Sequence, residues 1–184
     1  KVVAHSKKVK LGDPLDPSVK FGAIINKMQL DKIKKYVDSG TAEGAKLLLG
    51  GNQITINNGN YFEPTIFTDV KPEMEIACEE IFGPVLSILT FKTRKEAIEI
   101  ANSTPFGLSA GVWTKDLDTA MIMTREIDAG TVWVNNWMSG NPEIPFGGFK
   151  QSGIGRELGP GAIDEFMETK SVMIKTEVSN GSWV

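Results

Sequence analysis

Residues 85–134 read VLSILTFKTRKEAIEIANSTPFGLSAGVWTKDLDTAMIMTREIDAGTVWV, and their periodicity decides the fold. Val85-Leu86-Ser87-Ile88-Leu89 is a mostly apolar run of strand length, which predicts a strand from Val85 to Phe91. A helix is expected from about Arg94 to Ala101, a strand over Ala110 to Trp113, a helix over Asp116 to Ile127 and a strand over Thr131 to Val134. Thr93 and Asp116 carry side-chain oxygens suited to accepting the first free N–H groups of each helix. Gly107 and Gly130 stand where each helix should stop. Strand and helix alternating through short connections imply an α/β fold, a largely parallel sheet with flanking helices and right-handed crossovers.

Just before this array, Glu79-Glu80-Ile81-Phe82-Gly83-Pro84 runs two carboxylates into an aromatic at a Gly-Pro bend. The segment reads as a ligand-facing loop. An ionised carboxylate offers two acceptor oxygens, which suits the neighbouring hydroxyl donors of a sugar diol. The bland alternative is a solvated acid beside a core phenylalanine. Earlier in the chain, Asn26 can cap a helix in which Leu30, Ile33 and Val37 recur at helical spacing, ending near Gly40 or Gly44. Ala45 to Leu49 reads as a buried strand, and Ile54 and Ile56 face Tyr61 and Phe62 across the turn residues Asn57-Asn58-Gly59-Asn60. Pro64 argues against a central place for the strand after it. Val9-Lys10-Leu11 is a short strand candidate, and Lys1 to Lys8 reads as the end of a helix whose beginning is missing, so the chain is expected to be a segment of a longer protein.

Composition narrows the function classes. Of 184 residues, 41% are hydrophobic and 23% charged, a globular balance. The net charge of -3 and the scattered lysines, clustered only in the short Lys7-Lys8-Val9-Lys10 and Lys32 to Lys35 patches, leave no basic stripe for nucleic acid. No apolar run approaches the roughly 18 residues a membrane span needs. The single cysteine, Cys78, cannot form an internal disulfide, and no Cys or His cluster has metal-ligand spacing, which points to a reducing, cytoplasmic setting. Next to Glu79 and Glu80, a Cys78 thiolate is disfavoured, so this residue reads as packing and not as a nucleophile. His5 sits on a lysine-rich helix end with no dyad partner nearby.

Downstream, Pro145-Phe146-Gly147-Gly148-Phe149-Lys150-Gln151-Ser152-Gly153 and Gly155-Arg156-Glu157-Leu158-Gly159 join the Glu79–Pro84 loop. Together these motifs make nearly the whole chain resemble the C-terminal catalytic part of the NAD(P)-dependent aldehyde dehydrogenases. The resemblance implies that the intact protein oxidises an aldehyde to a carboxylic acid through a thiohemiacetal, hydride transfer and thioester hydrolysis. The nucleophile and the dinucleotide-binding domain would then lie upstream of this chain. It gives Glu80 the hydroxyls of the nicotinamide-side ribose, Phe82 a packing role on that ribose, and Leu108 an apolar wall near the nicotinamide. It gives Trp137 and Phe146 the walls of the aldehyde funnel, Glu157 a proton relay, and the backbone carbonyls of Lys150 and Gly153 a monovalent cation. Read from the residues alone, Leu108 is equally a core leucine, Trp137 and Phe146 equally fill the core, and Glu157 equally pairs with Arg156. An aromatic wall would also suit a cationic amino-aldehyde or betaine aldehyde.

The resemblance further divides the chain into residues 1–158 of the catalytic domain and a tail over 159–184. The tail should hold a short helix at Ala162 to Met167 and a strand at Ser171 to Lys175 that joins subunits into a homo-oligomer, with Arg156 and Glu168 helping to fix that interface. The cofactor is NAD or NADP, since the contacts that choose between them lie upstream. Two alternatives stand beside this reading: an acylating or phosphate-reducing member of the same superfamily, and a non-catalytic assembly fragment that binds full-length subunits.

Overall fold

In the computed structural model, which describes residues 1–176, the first long element starts where the sequence caps it. A single turn, α1 (Val2–Ser6), precedes α2 (Lys27–Ala42). The Asn26 side chain accepts a 2.8 Å hydrogen bond from the Gln29 N–H, satisfying one of the orphan donors of the helix start. Leu30, Ile33 and Val37 are buried at the expected spacing, while Lys27 pairs with Asp31 and Lys34 with Asp38 on the wet face. Gly44, at φ 95°, supplies the left-handed backbone just beyond the helix.

Strands β1 (Lys46–Leu49), β2 (Gln53–Ile56), β3 (Gly59–Phe62) and β4 (Thr65–Thr68) follow. The expected hairpin forms between β2 and β3, pairing Ile54 with Tyr61 and Ile56 with Gly59. Its turn is tighter than the sequence reading: Asn57 and Asn58 alone make it, at φ 49° and 61°, as a two-residue hairpin loop requires. β4 is the middle strand of a three-stranded sheet, antiparallel to β1 and parallel to β5 (Val85–Ser87). This corrects the reading of Pro64. The proline stands one residue before the ladder, so its missing N–H is not needed there, and the Thr65 N–H donates to the Pro84 carbonyl at 2.8 Å. β1 is an edge strand with Leu47 and Leu48 partly exposed, not the buried strand expected.

The remaining elements are α3 (Glu75–Cys78), α4 (Arg94–Asn102), β6 (Phe106–Gly107), β7 (Ser109–Val112), α5 (Leu117–Glu126), β8 (Thr131–Val134) and β9 (Phe149–Lys150). Thr93 and Asp116 cap α4 and α5 as anticipated, accepting from the Glu96 and Thr119 N–H groups at 3.1 and 2.8 Å. The bonds from Thr119 hold the Asp116 carboxyl below the usual carboxylate range. β7 and β8 run parallel, from Ser109 beside Thr131 to Val112 beside Val134.

The α/β alternation is therefore present, but the strand directions are mixed. Parallel pairing holds for β4–β5 and β7–β8, whereas β1–β4, β2–β3 and β6–β9 are antiparallel, and the described residues form four small sheets instead of one largely parallel sheet. β5 ends at Ser87, short of Phe91: its pairing with β4 ends at Phe67, with the Ile88 N–H donating to Phe67 O at 3.0 Å. Ser103 and Ile127 end α4 and α5; Gly107 lies in β6, and Gly130 lets the chain pass close against the Gly147 carbonyl. Of the expected Val9–Leu11 strand, only Leu11 pairs, in a single bridge to Phe21.

A 3₁₀ helix over Pro160–Phe166 replaces the expected helix at Ala162 to Met167. The strand expected at Ser171 to Lys175 does not form in the single chain, because a strand exists only through a ladder, and residues 171–176 hold no ladder position. Their apolar side chains, Val172, Met173 and Ile174, are exposed. Residues 177–184 of the expected tail lie outside the described residues.

The main apolar cluster gathers Leu30, Ile33, Phe62, Phe67, Ile76 and Ile81 around α2, and a smaller one joins Val112, Ile127 and Ala129 beneath α5. Leu30 is fully buried, so Leu30→Ala should lower the stability of the intact protein by about 3 kcal/mol, read as an earlier thermal or denaturant transition. Leu15, 88% exposed, is the control: Leu15→Ala should stay within about 0.5 kcal/mol of the wild type.

Candidate functional site

The loop between α3 and β5 is built by what it leans on. Ser87 Oγ donates to Ile76 O at 2.8 Å, tying the two flanking elements together. Three consecutive carbonyls of the loop then point at one face of α2. Lys32 Nζ donates to Glu80 O at 3.3 Å, and Gln29 Nε2 donates to Ile81 O at 3.0 Å and Phe82 O at 3.1 Å. Gly83 completes the seat, since a Cβ there would stand 2.6 Å from the buried Ile33 side chain. Gln29, Lys32 and Ile33 are three and four positions apart and so share a helix face.

Held this way, the loop turns its side chains outward. Phe82 adopts φ 53°, an uncommon state for a residue with a Cβ, and its ring is 77% exposed. Ile81 anchors the loop in the core. The exposed Glu80 carboxylate makes no hydrogen bond or ion pair among the described residues. Beside the loop, burial first, then the Glu79 and Glu75 charges, push the Tyr36 phenol up. Cys78 takes a structural place, with its Sγ donating to Pro72 O at 2.9 Å.

Glu80 borders a cleft of about 540 Å³ whose other walls include Thr104, Leu108, Ser109, Asp128 and Ser152. Leu108 also lines a neighbouring recess of about 600 Å³ with Phe146, Gly153, Arg156, Glu157 and Phe166. The fold thus brings Glu80 to Leu108, and Leu108 to Phe146, Gly153 and Glu157. Leu108 is 43% exposed and lines both cavities, so it is not a core leucine. Phe146 and Glu157 are bridged through their backbones, with N–H to carbonyl distances of 2.7 and 2.8 Å.

The ion pair between Arg156 and Glu157 does not form. The Arg156 guanidinium donates instead to Gly148 O at 3.1 Å and Gly155 O at 2.6 Å, and lies 5.3 Å from the Phe149 ring centre. This leaves the Glu157 carboxylate exposed, with no ion pair among the described residues. Lys150, at φ 53°, sends its ammonium to the end of α4, where it donates to Asn102 O at 2.9 Å and Thr104 O at 3.2 Å and stands 3.5 Å from Asp128. A cation near a helix C-terminus offsets the negative end of the helix dipole. Trp137 lies apart from both cavities, half-exposed, with its ring 5.1 Å from that of Trp133.

Gln29, Lys32 and Ser152 are the site residues that sequence reasoning missed. Ser152 Oγ accepts from the Gly107 N–H at 3.0 Å beside Leu108. Gln29 and Lys32 lie on a helix face that reads as solvated, and no local pattern links them to a loop some fifty positions later; their shared face with Ile33 was the only available hint.

The aldehyde dehydrogenase family model matches residues 1–172. The chain is 49% identical over 178 residues to "Aldehyde dehydrogenase, cytosolic 2" of Macroscelides proboscideus, covering 97% of this chain and 74% of that sequence. It is 45% identical over 166 residues to the betaine aldehyde dehydrogenase of Cereibacter sphaeroides, covering 90% of this chain and 34% of that protein. Among solved structures, the NAD-dependent aldehyde dehydrogenase from Sinorhizobium meliloti superposes with a TM-score of 0.91 at 48% identity, covering 98% of this chain and 36% of that one. The chain therefore spans about a third of the length of the last two.

The seat of the Glu80 loop is directly testable. Gln29→Leu removes both donations to Ile81 O and Phe82 O while keeping a side chain of similar size, so hydrogen exchange of the 79–84 amides should speed up about tenfold, with exchange in β4 unchanged. Unchanged protection of the loop would show that the Lys32 bond and the Gly83–Ile33 contact hold it without Gln29.

Proposed function

The chain belongs to the aldehyde dehydrogenase family, and from that premise we propose that the intact protein oxidises an aldehyde to the carboxylic acid with NAD(P)+. This chain supplies the acid that holds the nicotinamide-side ribose and the far wall of the substrate channel. One observation carries the reading: the Glu80 carboxylate is without a partner among the described residues, on a loop pinned through three carbonyls, at the rim of a cleft of about 540 Å³. A ribose fits such a group, because its two hydroxyls donate and a carboxylate accepts twice.

When bound, the nicotinamide supplies the hydride acceptor. This chain's own residues contribute binding, orientation and proton transfer. Glu80 orients the sugar, and the exposed Phe82 ring offers it an apolar face. The left-handed backbone at Phe82 is kept in place by Gln29 at its own carbonyl. Leu108 excludes water from the wall of the cleft. Phe146, on the second recess, and Trp137, apart from it beside Trp133, serve as apolar walls for the aldehyde, and Glu157, exposed and without an ion pair among the described residues, serves as the proton relay. The carbonyls of Lys150 and Gly153, both on left-handed backbone at φ 53° and 135°, are the proposed monovalent-cation ligands.

The proposed partners are a small aldehyde and further copies of the same protein, joined through the tail; the exposed Val172, Met173 and Ile174 side chains support that assembly. A cytoplasmic location is proposed from the name of the Macroscelides relative. No helix among the described residues is long and apolar enough to cross a membrane.

In the intact protein, Glu80→Gln should raise KM for the dinucleotide or lower kcat by about tenfold, since a charge-assisted bond to the ribose becomes a neutral one, while the melting temperature stays unchanged. Early melting with wild-type kinetics would make Glu80 a structural acid. Sedimentation of the protein ending at Thr169 should show smaller particles with retained secondary structure, and an unchanged oligomer would remove the tail from the interface.

A further inference from the structure

The chain leaves β8 through Asn135, and this residue does more than turn. Val112 and Val134 make the last rung of the parallel β7–β8 pair. One step beyond it, the Asn135 N–H donates to Val112 O at 2.8 Å. The Asn135 carboxamide then reaches sideways and pairs with a single residue beyond the end of β7: its Oδ1 accepts from the Thr114 N–H at 2.9 Å, and its Nδ2 donates to Thr114 O at 2.8 Å. A side-chain amide thereby takes the place of a backbone peptide and adds one rung after the main chain has left the sheet. The left-handed backbone at Asn135, φ 53°, makes this possible by sending the main chain away while the side chain stays in plane with the strands.

Few other contacts restrain the loop that follows. Trp133 Nε1 donates to Ser139 O at 2.8 Å, and the Gly159 N–H donates to Pro142 O at 2.9 Å. Between Asn135 and Ser139 lies Trp137, whose ring tilts at 60° against Trp133 and stands over Gly111, where a Cβ would meet Trp137 Cε3 at 3.0 Å and Trp113 Cζ3 at 2.6 Å. The place of the Trp137 ring is thus set at one end by the Trp133 side chain and at the other by the Asn135 clamp. Alanine at 135 would keep the bond to Val112 O and lose both bonds to Thr114.

We propose that Asn135 is a positioning residue for substrate specificity: its carboxamide fastens the 135–139 loop to the end of β7 and so sets the wall that Trp137 presents to the aldehyde. The inference rests on the aldehyde-oxidising reading. In the clamp Asn135 uses both a donor and an acceptor, so aspartate, similar in shape but an acceptor only, cannot replace it: it would set a carboxylate oxygen against Thr114 O.

The test uses the intact protein with a series of aldehydes of increasing size and NAD+. Losing two hydrogen bonds whose net worth is modest should raise KM for bulky aldehydes about fivefold in Asn135→Ala, leaving KM for NAD+ and the melting temperature near wild type. The near-ultraviolet circular dichroism of the coupled Trp133–Trp137 pair should weaken in the same variant. In a Trp137→Ala background the Asn135 substitution should change aldehyde KM no further, because its effect passes through that ring. Additive effects in the double variant, or equal changes in both Michaelis constants, would overturn the proposal. If Asn135→Ala does not fold, Asn135→Asp carries the same comparisons. If the wild-type protein fails to oxidise any aldehyde, the functional reading falls, while the dichroism of the variants still decides whether the clamp positions Trp137.

Discussion

The approach of the Gly83 backbone to the Ile33 side chain is the contact on which the site depends. A Cβ at position 83 would overlap a fully buried isoleucine, so the loop can seat only because glycine is there. Once seated, the carbonyls of residues 80 to 82 come within reach of Gln29 and Lys32. Their side chains then satisfy groups that a free loop would leave to water, and Phe82 can hold a backbone state it would otherwise leave. The outward stance of Glu80 follows. Its carboxylate faces outward while its main-chain carbonyl is engaged on the other side by Lys32.

A similar division of labour recurs beyond β5. Lys150 gathers the carbonyls at the end of α4, and Asn102 ties that end to α5 by donating to Glu126 O at 2.7 Å and accepting from the Asp128 N–H at 2.9 Å. Two helix C-termini, both negative ends of dipoles, converge there, and a single ammonium offsets them. The Gly107–Leu108 segment lies against this corner and is fixed by Ser152 and by β8. In each case polar side chains bind backbone, and the cavities are left lined by apolar residues such as Leu108 and Phe146 together with the free acids Glu80 and Glu157. That pattern suits a surface built to receive a ligand from outside the chain.

Much of this could be read from the residues. Asn26, Thr93 and Asp116 cap α2, α4 and α5 because each places a short polar side chain before a run with helical spacing, a signal that needs no tertiary partner. The β8 strand over Thr131–Val134 and the hairpin around Asn57 and Asn58 were equally local. Strand extent and direction were less legible. β5 is only as long as its pairing with Thr65 to Phe67 of β4, and β9 exists only because Phe149 and Lys150 meet Gly107 and Phe106 from across the chain. Pro64 misled for a related reason: its cost depends on whether its own N–H is called upon, and the ladder begins one residue later.

The sequence by itself determined the helix starts, the hairpin turn, the α/β alternation and the motifs that resemble the family, since each depends on neighbours a few positions away. Only the tertiary structure decided which side chains stand free to act. Arg156 turned from its adjacent acid toward Gly148 and Gly155, leaving Glu157 exposed, and Gln29 reached a loop distant in sequence. The physical reason is that a polar group's role depends on which partners come within about 3 Å of it, and that distance is set by chain crossings no local pattern records.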